Sequence, residues 1–385
     1  MGKISVKQTV VGLIVLALAL GTSSIYLAIG NWRLAVFIVF GIAYGFILQR
    51  SRFCFASSFR DLFITRDARL ARGVILGLLV ATVGFSLLLG LEIQKPHVQP
   101  AGVHTVVGGF LFGLGMVLAG GCASGTLYRC GEGYLSLWVA LGGTILGMMI
   151  LAVSWPFLWF NYIQYQPKLW FPAALGWPLS VTATISLLVS CFLIVTWWER
   201  GSLKTIRSTV AHNPSGIQRV SGGIFRNPFA NAWPAWLGGI LLGFLNVLEF
   251  YLVGTPWGIT TPESRWAGWL LKVVGFETDS WLYYIQYKLP LPWLDGGSLL
   301  DIGIIVGAFI ASSLAFEFKI RSPPRRRLPQ AFIGGILMGY GARLAMGCNI
   351  GAFFSAIPQL ALFGWLFTIG LIFGAFVGAK LVTKL

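Results

Sequence analysis

The residues in this chain with the widest chemical range are its five cysteines, Cys54, Cys122, Cys130, Cys191 and Cys348. Two recur in matched settings, Gly121-Cys122-Ala123-Ser124-Gly125 and Gly347-Cys348-Asn349-Ile350-Gly351. Glycines beside a cysteine in an otherwise apolar helix permit tight backbone and close approach, and they break the helix. The helix that resumes after each break presents its N-terminal amides, an end that attracts anions without formal charge. A thiol there has two uses. It can act as a reactive thiolate, since a helix N-terminus favours the anion, or it can stay protonated and offer a weak S–H donor to a soft, sulfur-bearing ligand. Conduction requires binding weak enough to release, and several weak donors along a route meet that need, so the second use suits a transporter.

The remaining candidates sort by setting. Cys54 lies in Arg50-Ser-Arg-Phe-Cys54-Phe-Ala-Ser-Ser-Phe59, a short aromatic segment bounded by arginines that reads as a re-entrant hairpin dipping from a basic face. Its counterpart by order of elements is Gly254-Thr-Pro-Trp-Gly-Ile-Thr-Thr-Pro262, with Gly and Pro breaks but no cysteine. Arg343 sits in an apolar stretch with no acidic residue within helical reach, so it either binds the substrate anion or caps carbonyls of a neighbouring break. Arg129 and Glu132 are spaced to pair with each other. Cys191, in Leu187-Leu-Val-Ser-Cys-Phe-Leu-Ile194, reads as core packing, and Cys130 lacks a counterpart in the second copy, where Gly-Ala-Phe-Phe-Ser355 stands. The substrate-binding set is therefore Cys54, Cys122, Cys348, Gly121, Gly347, Asn349, Ser124 and Arg343. None of the three histidines has metal-ligand spacing from a cysteine, which argues against zinc or haem.

These residues are carried by a chain built for lipid. Of 385 residues 56% are hydrophobic and only 10% charged, against roughly a quarter charged in soluble domains. Apolar stretches predict helices at 10–28, 34–49, 72–91, 106–120, 135–153, 178–198, 235–252, 299–317, 330–346 and 360–380, each crossing or nearly crossing a hydrocarbon layer of about 30 Å. The first resembles a signal peptide but lacks a clear small-residue cleavage site, so it reads as a retained helix. Tryptophan- and proline-rich segments at 155–177 and 254–294 have room for interfacial helices. The formal charge of +16 collects between spans. One cluster runs from Arg50 to Arg72, a second comprises Arg200, Lys204, Arg207, Arg219 and Arg226, and a third Lys319, Arg321 and Arg325 to Arg327. All three fall on one side, a topology and lipid-headgroup signal rather than a nucleic-acid one.

Gly108 to Gly125 reads GGFLFGLGMVLAGGCASG and Gly334 to Gly351 reads GGILMGYGARLAMGCNIG, identical at ten of eighteen positions without a gap. The expected architecture is an all-α polytopic membrane protein, an inverted repeat of about five plus five helices with re-entrant or broken half-helices at its centre. An odd number of spans per copy turns the second upside down relative to the first. Residues 1–155 form the first copy, 156–234 a connecting region with helix 178–198 and a basic cytoplasmic loop, and 235–385 the remainder of the second copy. Helix 178–198 opens that second copy.

The motifs Gly120-Gly-Cys-Ala-Ser-Gly125, Gly341-Ala-Arg-Leu-Ala-Met-Gly-Cys-Asn349 and Ser51-Arg-Phe-Cys54 resemble the YeeE/YedE family of membrane proteins, and the resemblance covers essentially the whole chain. It implies a multi-pass protein of the bacterial cytoplasmic membrane that takes up thiosulfate through an hourglass, its central cysteines handing on the ion, sometimes to a small cytoplasmic sulfur-carrier protein. The cysteines that match are Cys54, Cys122 and Cys348. The Trp-rich segment around Trp233 to Trp269 is similar to a branch associated with selenium metabolism. Two other readings stay open: a membrane thiol enzyme working through Cys122 and Cys130, and a structural anchor for a cytoplasmic partner. No cofactor is expected, and no Gly-x-x-x-x-Gly-Lys-Ser/Thr loop for ATP is present.

Overall fold

The computed structural model describes residues 2–210 and 232–383, so Arg219 and Arg226 of the second basic cluster lie outside it, as do the side chains from Arg200 onward in that helix. Where backbone crosses lipid it must satisfy its own polar groups, and an unbroken helix does this within one segment. Each expected apolar stretch is accordingly helical: α1 (Gly2–Ala28), α2 (Trp32–Ser51), α4 (Arg69–Gly90), α5 (Val103–Ala119), α7 (Leu135–Asn161), α9 (Trp177–Val210), α10 (Ala235–Val253), α13 (Gly296–Leu314), α14 (Arg327–Leu344) and α15 (Leu362–Val382). Among the described residues nine helices are long and apolar enough to cross a membrane, or ten when α14 and the helix after it count as one bent span.

Shorter helices fill the gaps. Half-helices α3 (Phe55–Ile64) and α6 (Ala123–Gly131) follow the Cys54 and Cys122 breaks, and a π-wound helix, Asn349–Ser355, follows Cys348. The 254–294 segment holds α11 (Thr260–Val273) and α12 (Leu282–Tyr287), and 155–177 holds the end of α7 and α8 (Phe171–Leu175). One expectation is corrected. The chain does not turn back at Cys54 as a hairpin; α2 runs on into α3 as one interrupted apolar span, Trp32–Ile64. The arginines that suggested a hairpin rim are taken up at the break within that span: Arg50 and Arg52 both pair with Glu317, at 2.6 and 3.0 Å. Those pairs join the first and third basic clusters at one end of the bundle.

Glycine determines how closely the helices pack, as expected where small residues let helix backbones meet in lipid. Cβ atoms built on Gly41 and Gly45 of α2 would strike the α13 backbone; on Gly77, the α10 backbone; on Gly109 and Gly113, α15; on Gly143 and Gly147, α14. Replacing α1, α2, α4, α5 and α7 by α9, α10, α13, α14 and α15, in order, maps the α2–α13 pair onto α10–α4, the α5–α15 pair onto α14–α7, and α5–α14 onto itself. At this last crossing Gly108 faces Gly341 and Gly115 faces Gly334, so α5 and α14 run antiparallel.

The crossing is a stability test. A side chain on Gly341 would meet the Gly108 carbonyl oxygen and the Phe112 nitrogen at 2.6 Å, whereas Gly142 has nothing within 4 Å. Gly341→Val should lower the melting temperature of purified protein in detergent by several degrees, from an overpacking cost of about 1–3 kcal/mol. Gly142→Val should leave it near the wild-type value.

Candidate functional site

The three breaks share one local design. Arg52 (φ 49°), Gly120 (φ 79°) and Met346 (φ 59°), each two residues before a cysteine, adopt the left-handed conformation that ends a helix. The cysteine itself is extended, with φ/ψ of −136/120° at Cys54, −80/−177° at Cys122 and −101/−171° at Cys348, and the next residue begins a new helix. Glycine makes this turn without strain, whereas Arg52 and Met346 are held in it by tertiary packing. The thiols of Cys122 and Cys348 then cap the new helices, accepting from the amides of Gly125 at 3.3 Å and Ile350 at 3.4 Å. The carbonyls of the same cysteines accept the first helical bonds, from Thr126 and Ala352, both at 2.7 Å.

These helix starts converge. A Cβ on Gly125 would sit 2.9 Å from the Cys54 sulfur and 3.1 Å from the Cys122 sulfur, so both thiols close over a face that only glycine leaves open. Phe55 packs edge-on against Phe353 and Phe354, bringing the α3 start to the helix that follows Cys348. The α11 start joins from the second half, where Thr260 lines one cavity with Gly347 and Gly351, the glycines flanking Cys348. Cys54, Cys122 and Cys348 are 1%, 0% and 0% exposed, so the meeting point is closed in this structure.

A cavity approaches this point from each end. One, of about 780 Å³, is lined by Arg60, Arg129, Arg321, Arg326 and Arg327 and reaches Gly120 beside the Cys122 break. The other, of about 440 Å³, is lined by His97, Trp257, Thr260 and Asp295 and reaches Gly347 and Gly351 on either side of Cys348. The arginine-rich mouth faces the cytoplasm by the positive-inside rule. Elsewhere in the first basic cluster Arg69 pairs with Asp67 at 2.6 Å, and this guanidinium holds the Asp67 carboxyl below its ordinary range. Burial pushes the His97 imidazole below its ordinary range at the opposite mouth.

The other sequence-derived candidates divide. Ser124 lies 3.5 Å from the Cys122 sulfur, and Gly121 and Gly347 are the tight links before the capping cysteines. Asn349 is fully buried, and neither end of its amide has a hydrogen-bond partner. Arg343 does not cap carbonyls. Its Nε donates to the Tyr283 hydroxyl at 2.5 Å and Nη1 to the Thr261 hydroxyl at 2.9 Å, and it stacks over Tyr287 at 4.5 Å. Arg129 and Glu132 do not form the expected ion pair, because each is claimed elsewhere. Arg129 donates to the Gly120 carbonyl at 2.8 Å, capping the break, and Glu132 accepts from Gln49 at 3.1 Å.

Sequence reasoning passed over Gly125, although its recurrence as Gly351 marked it, and Thr260, which no cysteine motif flagged. It also missed a buried clamp. Asn246 accepts from the Trp257 amide at 2.9 Å and donates to Ser355 at 3.1 Å, and Ser355 donates to the Trp257 carbonyl at 2.8 Å. This clamp holds the Thr255–Ile259 loop against the helix after Cys348.

Cys122 and Cys130 stand at opposite ends of α6, eight residues apart, roughly 12 Å at the helical rise. That exceeds the reach of a disulfide and removes the dithiol on which the thiol-enzyme reading relied. Mild oxidation should instead link Cys54 to Cys122. Peptide mass spectrometry should recover that pair, and recovery of Cys122–Cys130 would contradict the geometry.

The profile of the sulphur-transport family matches residues 50–377. A thiosulfate transporter, TsuA, of Spirochaeta thermophila is 34% identical over 355 residues, covering 88% of this chain and 95% of that protein. The thiosulfate transporter TsuA of Escherichia coli is 30% identical over 370 residues, covering 90% and 93%. The probable transporter YedE of Escherichia coli is 41% identical over 145 residues, 37% of this chain and 36% of its own length. With paired cavities, broken helices and a family match over most of its length, the chain is a multi-pass membrane protein of the YeeE/YedE sulphur-transport family.

Proposed function

We propose that this protein is a permease for thiosulfate, or for a closely related small sulfur anion. The observation that carries the reading is the placement of Cys348 and of the Cys54–Cys122 pair between two cavities, each thiol at the start of a half-helix. The anion enters the outer cavity, where the open face of Gly351 and the spare amide of Asn349 flank Cys348. It passes to Cys54 and Cys122 at the Gly125 face, then to the arginine-lined inner cavity. Each thiol acts as a weak S–H donor, and the amides at the helix starts supply positive potential without a fixed charge that would trap the ion. Arg343 stays a substrate-binding candidate through its unpartnered Nη2, which lies beside the α11 start.

In this reading the chain is an inverted repeat divided near residue 155, with 156–234 connecting the copies. The exchange symmetry of the helix pairs and the antiparallel crossing of α5 and α14 support it. The two cavities then correspond to the two faces of one site, and a small cytoplasmic sulfur carrier would meet the ion at the basic mouth.

In cells dependent on thiosulfate as sole sulfur source, Cys122→Ala and Cys348→Ala should each abolish growth and uptake, and Cys54→Ala should reduce both severely. Wild-type uptake in the Cys122 and Cys348 variants would remove the thiol relay. Competition by sulfite, sulfate and selenite in vesicles would define which anion is preferred.

A further inference from the structure

Glu263, in the first turn of α11, and Asp301, in α13, are fully buried, and none of their four carboxylate oxygens has a hydrogen-bond partner. The two helices bring them together. Pro262 lies against Gly297, and Trp266 donates to Ser298 at 2.8 Å; Glu263 falls between these two contacts on α11 and Asp301 one turn beyond Gly297 on α13, which sets both carboxylates on the stretch where the two helices pack. The charged and titratable groups facing them are few. Asp301 is also within the field of Asp295, Glu249 and Cys348, and Glu263 within that of Arg343, Cys130 and Cys348. Most of these already have partners. Asp295 pairs with Arg265 at 2.6 Å, Glu249 accepts from Tyr44 at 2.8 Å, and Arg343 uses Nε and Nη1 on Tyr283 and Thr261. Only Nη2 of Arg343, itself buried, is left unpartnered on the Glu263 side.

Two buried carboxylates without partners, set in each other's field, resist being ionised together. Among the described residues no group of three or more His, Cys, Asp or Glu side chains is arranged to hold a metal ion, and a proton bound by the pair would relieve the repulsion that the single guanidinium of Arg343 does not reach at Asp301. The pair is well placed to exchange it. Thr260, Thr261 and Leu300, close in sequence to the two acids, line the outer cavity together with Gly347 and Gly351, so the acids lie one layer behind the wall that flanks Cys348.

We propose that Glu263 and Asp301 are the proton-coupling site of the permease, taking protons from the outer cavity as the anion reaches Cys348 and releasing them inward. The proposal rests on the transport reading above. A dianion entering a cell with a negative interior is opposed by twice the work that a single charge meets, and two protons carried with it remove that opposition. Coupling follows from linkage: an anion at Cys348 disfavours ionised Asp301, so anion and proton raise each other's affinity. On inward release, the spare Nη2 of Arg343 is available to receive the Glu263 charge.

The test uses purified full-length protein in liposomes, with thiosulfate as the probe. Under an inward proton gradient the wild type should accumulate thiosulfate, acidify a lumenal pH dye on thiosulfate addition, and lose accumulation with a protonophore. Glu263→Gln and Asp301→Asn should each lower gradient-driven accumulation by about tenfold per unit of pH gradient, since one coupled proton contributes one such factor. Thiosulfate exchange at equal pH should persist within about twofold. The proposal is overturned if wild-type uptake produces no acidification, if it follows a sodium gradient instead, or if both variants accumulate normally. Loss of exchange together with accumulation in both variants would also overturn it, marking the acids as structural. A wild type that moves no thiosulfate even in exchange would be a different result, removing the transport reading and this inference with it.

Discussion

A helix broken inside an apolar core leaves amides and carbonyls that no lipid can satisfy, and this requirement organises the centre of the protein. At Cys122 and Cys348 the thiol takes an amide of the next helix, and on the preceding side Arg129 takes the Gly120 carbonyl. The same atoms that close the backbone account line the meeting point of the cavities. Cysteine suits both demands. Its sulfur is large and weakly polar, so it accepts from an amide yet offers S–H without the desolvation cost of a carboxylate or ammonium.

The breaks are held in place by unusually close helix packing around them. Glycine on α5 and α14 allows the two helices that carry the Cys122 and Cys348 turns to touch backbone to backbone, and the α2–α13 and α4–α10 pairs do the same for the elements bearing Cys54 and the α11 loop. Rigid contacts of this kind explain how Arg52 and Met346 are kept in a left-handed conformation that costs a side-chain-bearing residue about 1–2 kcal/mol. Electrostatics then differentiates the two ends. One mouth carries Arg60, Arg129, Arg321, Arg326 and Arg327, and the other carries a histidine, Asp295 and the buried acids behind it.

Much of this was legible in the residues themselves. Hydropathy alone determined the ten long helices, because twenty apolar residues in lipid have no other way to pair their backbone. The eighteen-residue repeat, glycines and cysteine in step, determined that Cys122 and Cys348 share one local structure, and composition determined that the solvent is a membrane. Local chain geometry is a property of neighbours in sequence, and sequence records it directly.

Only tertiary structure decided which distant groups meet. The Arg129–Glu132 spacing suggested a pair, but Gly120 and Gln49 offered each partner a better-placed contact across the bundle. The arginines around Cys54 suggested a hairpin, yet Glu317, more than 260 residues away, takes Arg50 and Arg52 while the chain runs straight on. Thr260, the Asn246 clamp and the Glu263–Asp301 pair carry no motif at all. Their significance lies in burial and in the absence or presence of a partner, quantities that exist only once helices from both halves have packed.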